Sequence, residues 1–213
     1  METRNVTLTL EKAKEFYNSG NIALREVALQ AFTKEELITT LKFTDIKTFE
    51  DAVKALGLCI CDVEIDLEEF DDHRFEGNTS EHLKAIYKLD IIRKALNKDW
   101  NPKMMEDSIY YPLVRLYPDG NKAKEAARNN SWAVKETFKA NGEKYSMVGG
   151  DYRRCDYGLI RFGFGYGEIY TRIGLLGCKS KEIASHMSRY FAKEIFEVCY
   201  AQYIGAYEWI DEV

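Results

Sequence analysis

The chain has 213 residues, 46% of them hydrophobic and 31% charged, a balance ordinary for a globular protein with enough core to fold without disulfide or metal staples. Its formal net charge of −5 sets the average surface against phosphate backbones and disfavours nucleic acid as a partner. No apolar run reaches the roughly 18 residues that mark a membrane-spanning helix, and residues 1–5 are polar, without the cationic start and apolar core of a secretion signal.

Residues 4–8 alternate weakly and predict a short strand or an extended arm. Thr9 is placed to cap a helix over residues 10–18, with Gly20 as its stop signal. Asn21 caps a second helix over residues 22–32. Thr33 followed by Glu36 is a capping box that restarts a helix to about residue 41. Thr48 opens a further short helix that ends at Gly57. Residues 9–57 therefore read as a cluster of short helices. Residues 58–66 alternate loosely and predict a strand. The acidic stretch 66–72 reads as an exposed loop, and residues 80–97 as a longer helix.

The character changes at Trp100-Asn101-Pro102. From Ile109 the chain favours strands, with Pro112 pointing to an edge or a bulge. Asp119-Gly120 is a turn, and residues 122–130 form a short charged helix or an excursion of the hairpin. Residues 145–148 and 157–173 read as strand, with Gly149-Gly150 as a turn or bulge. Ser180 caps a long closing helix to about residue 203, whose apolar face carries Ile183, Met187, Tyr190, Phe191, Ile195 and Val198. The fold class expected is α+β: an N-terminal cluster of short helices, then an antiparallel sheet covered by one long amphipathic helix. The division expected is residues 1–100 and 101–213, with the break near 98–108, the two parts forming separate regions or one compact domain.

The chemistry-bearing motifs are few. Gly163-Phe164-Gly165-Tyr166-Gly167 is not a dinucleotide fingerprint, because Glu168 stands where the third glycine belongs, and no GK[ST] follows. Read as an RNA-stacking strand it also departs from pattern: Phe162, Gly167 and Ile169 occupy the basic, valine and aromatic positions. The alternation puts Ile160, Phe162, Phe164, Tyr166 and Tyr170 on one face and the three glycines on the other, where a helix or backbone can approach closely. If that aromatic face is not all core, Tyr166 and Tyr170 are the candidate ligand-binding residues, with Arg172 on their face and Arg161 reaching round from the other. Arginine there suits a phosphate or carboxylate, so a small anionic ligand is one expected partner.

Cys59, Cys61, Cys155, Cys178 and Cys199 form an odd set without CxxC spacing, expected to be reduced thiols, mostly small buried hydrophobes. Cys59-x-Cys61 with His73 lacks the ligand spacing of a zinc site, and no cofactor or catalytic residue is assigned. No nucleophile lies in a recognisable signature.

Two segments carry a resemblance. Residues 8–21, Leu-Thr-Leu-Glu-Lys-Ala-Lys-Glu-Phe-Tyr-Asn-Ser-Gly-Asn, continue through Val27-Ala28-Leu29-Gln30-Ala31-Phe32, and residues 176–184 read Leu-Gly-Cys-Lys-Ser-Lys-Glu-Ile-Ala. With Tyr110-Tyr111-Pro112, these resemble uncharacterised proteins carried by phages and prophages of gut Bacteroidetes. The resemblance covers both ends of the chain and implies a mobile-element context, in the host cytoplasm or the virion. That family has no established activity, so it assigns no residue. The expected function is a non-enzymatic accessory protein that binds a host or phage protein or a small ligand. The alternatives are a virion component, for which self-assembly is expected, and a small enzyme of unrecognised type.

Overall fold

The computed structural model describes residues 7–38, 41–71, 78–98, 100, 108–155, 176–204 and 206–210. The chain divides into two compact units, Met1–Glu69 and Phe70–Val213. The break expected near residues 98–108 therefore falls inside the second unit.

The first unit is helical. Helices α1 (Leu10–Tyr17), α2 (Ile22–Ala31), α3 (Lys34–Leu37), α4 (Phe49–Ala55) and α5 (Ile60–Glu69) follow one another, with a 3-10 turn at Phe43–Asp45. The caps do what their side chains dictate. Thr9 accepts from the Lys12 amide and Asn21 from the amides of Ala23 and Leu24, while Thr33/Glu36 and Thr48/Asp51 close reciprocal capping boxes. Helices this short are marginal alone. α1, α2 and α3 are held by a small core of Ala13, Tyr17, Ala28 and Leu37, flanked by Leu8, Phe16, Phe32 and Ile38.

The strand expected over 58–66 is instead the first part of α5. Cys59, Val63 and Leu67 fall on one helical stripe, buried or half-buried, while Ile65 is exposed despite being apolar. The β-branched residues Ile60, Val63 and Ile65 raise strand propensity, but burial follows the helical period and decides the outcome. Residues 66–69 of the expected acidic loop are likewise helical.

The second unit is α+β. It contains α6 (Asn78–Asn97), β1 (Ile109–Tyr117), α7 (Gly120–Asn130), β2 (Ala133–Ala140), β3 (Glu143–Cys155), α8 (Lys181–Tyr190), α9 (Ala192–Cys199), α10 (Ala201–Ile204) and β4 (Tyr207–Ile210). The sheet order is β1-β3-β2-β4, with every pairing antiparallel. β4 had no counterpart in the sequence reading. Pro112 lies on β1, an edge strand of this order, as proline requires. On its outer side Tyr110 exchanges two backbone hydrogen bonds with Cys178. Pro112 shares that outer edge by its i+2 spacing, so its missing N–H takes nothing from the β1–β3 ladder.

The expected single closing helix is broken. Phe191 leaves helical geometry (φ −119°, ψ 33°) and separates α8 from α9. Its side chain is only 1% exposed, so the break occurs at a core residue and not at a solvent-facing loop. α8 packs on β3 and β1, while α9 packs against α6 and touches the sheet. One straight rod would not serve both surfaces equally.

The sheet and α8 meet at a bulge. Leu113 pairs with Asp151 and Val114 with Gly149, leaving Gly150 as the extra residue. Ser188 Oγ accepts from the Gly150 amide at 3.0 Å and donates to the Asp151 carbonyl at 2.8 Å. Ser185 Oγ donates to the Gly150 carbonyl at 2.6 Å. Two helix serines thus satisfy the backbone groups that the bulge removes from the ladder. The α7 side of the sheet is closed by Ala123, Ala127, Val148, Tyr117, Trp132 and Val134.

β4 is fixed by an aromatic cluster. Phe138, fully buried, lies 4.6 Å from Phe196 and 5.6 Å from Trp209 between ring centroids. The Glu197 carboxylate accepts from Tyr207 Oη and, at 3.1 Å, from Trp209 Nε1. At the other end of the unit, buried Asn97 donates from Nδ2 to the carbonyls of Arg93 and Gly177, and its Oδ1 accepts from the Lys179 amide. It ends α6 and holds the segment leading to α8. No helix among the described residues is long and apolar enough to cross a membrane.

Candidate functional site: a thiol cluster and cleft in the helical unit

The sequence-derived candidates Tyr166, Tyr170, Arg172 and Arg161 all lie outside the described residues, as does the expected strand 157–173. The described sheet carries arginine–aromatic contacts nearer the chain middle. Arg115 lies 5.0 Å over the Trp132 ring and holds Asp151 through Nε and Nη2, and Tyr110 meets Tyr152 edge-on. These contacts brace the sheet surface.

The chemistry gathers in the first unit instead. α1 supplies Tyr17, whose hydroxyl donates to the Gly57 carbonyl at 2.9 Å. α2 supplies Arg25, whose guanidinium lies 4.8 Å over the Tyr17 ring, donates to the Tyr17 hydroxyl at 3.4 Å and pairs with Asp62 at 3.1 Å. Cys59 stands immediately before the first residue of α5, where helix amides have no intrahelical acceptor.

Three effects compete at Cys59. Burial pushes its thiol up, but hydrogen bonds from the Asp62 and Cys61 amides and from the Arg25 guanidinium outweigh it, and the net shift is downward. Cys61 goes the other way. Burial, the neighbouring Cys59 sulfur and the carboxylates of Glu64 and Asp62 all hold its thiol protonated. Its Sγ–H donates to the Gly20 carbonyl. Arg25 is held charged: burial alone would lower its pKa, and contacts with Tyr17 and Cys59 more than reverse that. The pair is therefore split into a thiolate-prone sulfur and a thiol. By contrast, burial pushes Cys178 and Cys199 up to about 12, which makes them inert.

A half-open cleft of about 280 Å³ adjoins this cluster. Tyr17 and Asn18 form one wall, Glu50, Val53 and Lys54 of α4 another, and Leu58, Cys59 and Ile60 the third. Asp51 also lines it, but its carboxylate already accepts the Lys47 and Thr48 amides. Glu50 and Lys54 offer both signs of charge beside an apolar wall of Val53, Leu58 and Ile60.

Among the described residues no group of three or more His, Cys, Asp or Glu side chains could hold a metal ion. His73 lies outside them. The expectation that the cysteines are mostly small and buried fits Cys59, Cys178 and Cys199, while Cys61 is half-buried; what it does not show is the set of polar groups around Cys59. No family model matches the chain, and no curated protein or solved structure matches it either.

Proposed function

We propose that the protein is a non-enzymatic binding protein, of the phage-accessory kind its end segments resemble, and that the cleft of its helical unit seats the ligand. The observation that carries this reading is the cleft itself: about 280 Å³, with an apolar wall and two opposite charges at its lining. That volume is at the lower end of ligand pockets, which run roughly 300–1,000 Å³. The ligand is therefore a small molecule, or one projecting side chain of a host protein, with an apolar body and its own charge. The small anion expected from Arg161 and Arg172 belongs to a segment outside the described residues and stands as the competing site.

Native mass spectrometry of freshly purified protein, with the released small molecules identified, tests this. Leu58→Trp fills the cleft from a position that is 37% exposed, so folding should survive. Loss of the co-purifying ligand in Leu58→Trp, with binding intact in Arg172→Ala, supports the cleft. The reverse pattern overturns it and moves the site to the sheet segment. Large symmetric assemblies without ligand would put the virion reading first.

A further inference from the structure

We propose that Cys59 and Cys61 form a redox-active dithiol that exchanges with low-molecular-weight disulfides, Cys59 attacking and Cys61 resolving. This does not depend on the ligand-binding reading, because it concerns the sulfurs and not what the cleft holds.

Four observations converge. The two cysteines are separated only by Ile60, and the Cys59 sulfur is close enough to raise the Cys61 thiol. Consecutive-but-one Cα atoms at a helix start lie about 5–6 Å apart, inside the range disulfides span. The Cys59 sulfur receives the Arg25 guanidinium and two backbone amides, a set of donors that suits an anion. Arg25 is itself fixed by Asp62 and Tyr17, so its charge stays beside the sulfur. Finally, Cys59 lines the cleft, which gives a small disulfide a route to it. Cys199 is as buried as Cys59, at 4% exposed, and Cys178 is fully buried, but burial pushes both of those thiols up to about 12, and at Cys178 the contacts of Asn97 and Arg93 do not reverse it.

The exchange balances in two steps. The Cys59 thiolate attacks one sulfur of the small disulfide. A mixed disulfide forms, the original S–S bond breaks, and the departing thiolate takes a proton from water. Cys61 then loses its proton to solvent and attacks the Cys59 sulfur. The Cys59–Cys61 bond forms and the second small thiolate leaves, to be protonated in turn. The protein loses two electrons and two protons, and the small disulfide becomes two thiols. The split between the sulfurs sets the order of attack: Cys59, whose thiol is shifted down, ionises first, and Cys61, whose thiol is shifted up, waits.

The full-length reduced protein, incubated with glutathione disulfide, alkylated with iodoacetamide and digested with trypsin, gives the test. Cleavage after Lys54 and Arg74 releases residues 55–74, which hold both cysteines and none of the other three. The expected result is that this fragment escapes alkylation and is lighter than its reduced form by two hydrogens, at a rate roughly tenfold or more above that of Cys178 and Cys199. Cys61→Ser should trap a glutathione adduct on Cys59, and Cys59→Ser should abolish oxidation of the fragment. Arg25→Gln should move the half-maximal rate to higher pH, and Arg25→Lys should restore part of it. A fragment that stays doubly alkylated while the buried cysteines oxidise overturns the proposal. So does a persistent mixed disulfide in the natural protein, or an adduct on Cys61 alone. The measurement on the natural protein stands even if a variant fails to fold. Cys61→Ser separates the two readings, since Cys61 is not among the residues that line the cleft: it should stop the second exchange step and leave the co-purifying ligand in place.

Discussion

Gly149→Ala is the sharpest test of how the sheet and its covering helix fit together. A Cβ built at Gly149 lies 1.9 Å from the Ser188 carbonyl oxygen, 2.8 Å from its carbon and 3.3 Å from the Arg189 Cα. All three atoms are backbone, so no side-chain rotation relieves the clash, and α8 must lift from β3. Lifting it stretches the three hydrogen bonds by which Ser185 and Ser188 hold the bulge at Gly150 and Asp151. Overpacking alone costs about 1–3 kcal/mol, and each intramolecular hydrogen bond contributes about 0.5–1.5 kcal/mol. The expected destabilisation is about 3–5 kcal/mol. Gly142→Ala is the control: it has φ +82° but nothing within 4 Å of the added Cβ, so its cost is the backbone conformation alone, about 1–2 kcal/mol. Urea unfolding of both variants, followed by far-UV circular dichroism, gives the two values. If Gly149→Ala lost no more stability than Gly142→Ala, the close approach of α8 to β3 would be wrong.

Phe191→Ala should cost about 3–5 kcal/mol, because its ring is 1% exposed at the junction of α8 and α9; a melting curve unchanged by the substitution would refute that placement. Asn97→Ala leaves the Lys179 amide without its acceptor and should cost about 1–3 kcal/mol, read as an earlier urea midpoint. Cys178 has its thiol pushed by burial from 9.0 up to about 12. A raised folded-state pKa stabilises below the unfolded value, so its contribution is whole below about pH 9 and is lost as pH rises to about 12, a change of about 4 kcal/mol. Natural protein should therefore lose stability over that window faster than Cys178→Ala, in parallel urea titrations.

What was legible in the sequence was local. Thr9, Asn21, Thr33, Thr48 and Ser180 all cap helices as read, because a cap is a side chain meeting an amide two or three residues on. Pro112 marked an edge strand and Gly149-Gly150 a bulge for equally local reasons. Illegible features depended on distant partners. The apolar stripe from Ile183 to Val198 runs through Phe191 without a proline or glycine, so nothing in the pattern announces the break; it arises because α8 and α9 pack on different surfaces. β4 exists because Phe138, Phe196 and Glu197 hold Tyr207 and Trp209, and Phe138 and the β2 strand it sits on lie far back in the chain.

The thiol cluster was hidden by a single error of period. Read as a strand, residues 58–66 put Cys59 and Cys61 on one face among Val63 and Ile65, and small buried hydrophobes are then the natural reading. Read as a helix that begins at Ile60, the same letters put Cys59 at the one place where unpaired amides point outward. Secondary structure, not composition, thus decides whether this buried cysteine meets free helix amides. Even the correct period would have supplied only half of the site. The guanidinium that tips the balance comes from Arg25 on α2, and Asp62 and Tyr17 position it. Arg25 sits on a helix whose sequence pattern marks it as an ordinary solvent-facing charge. The fold converts it into a counter-ion by folding α5 back against the α1–α2 hairpin, which is why the chemistry appears only when the helices are assembled.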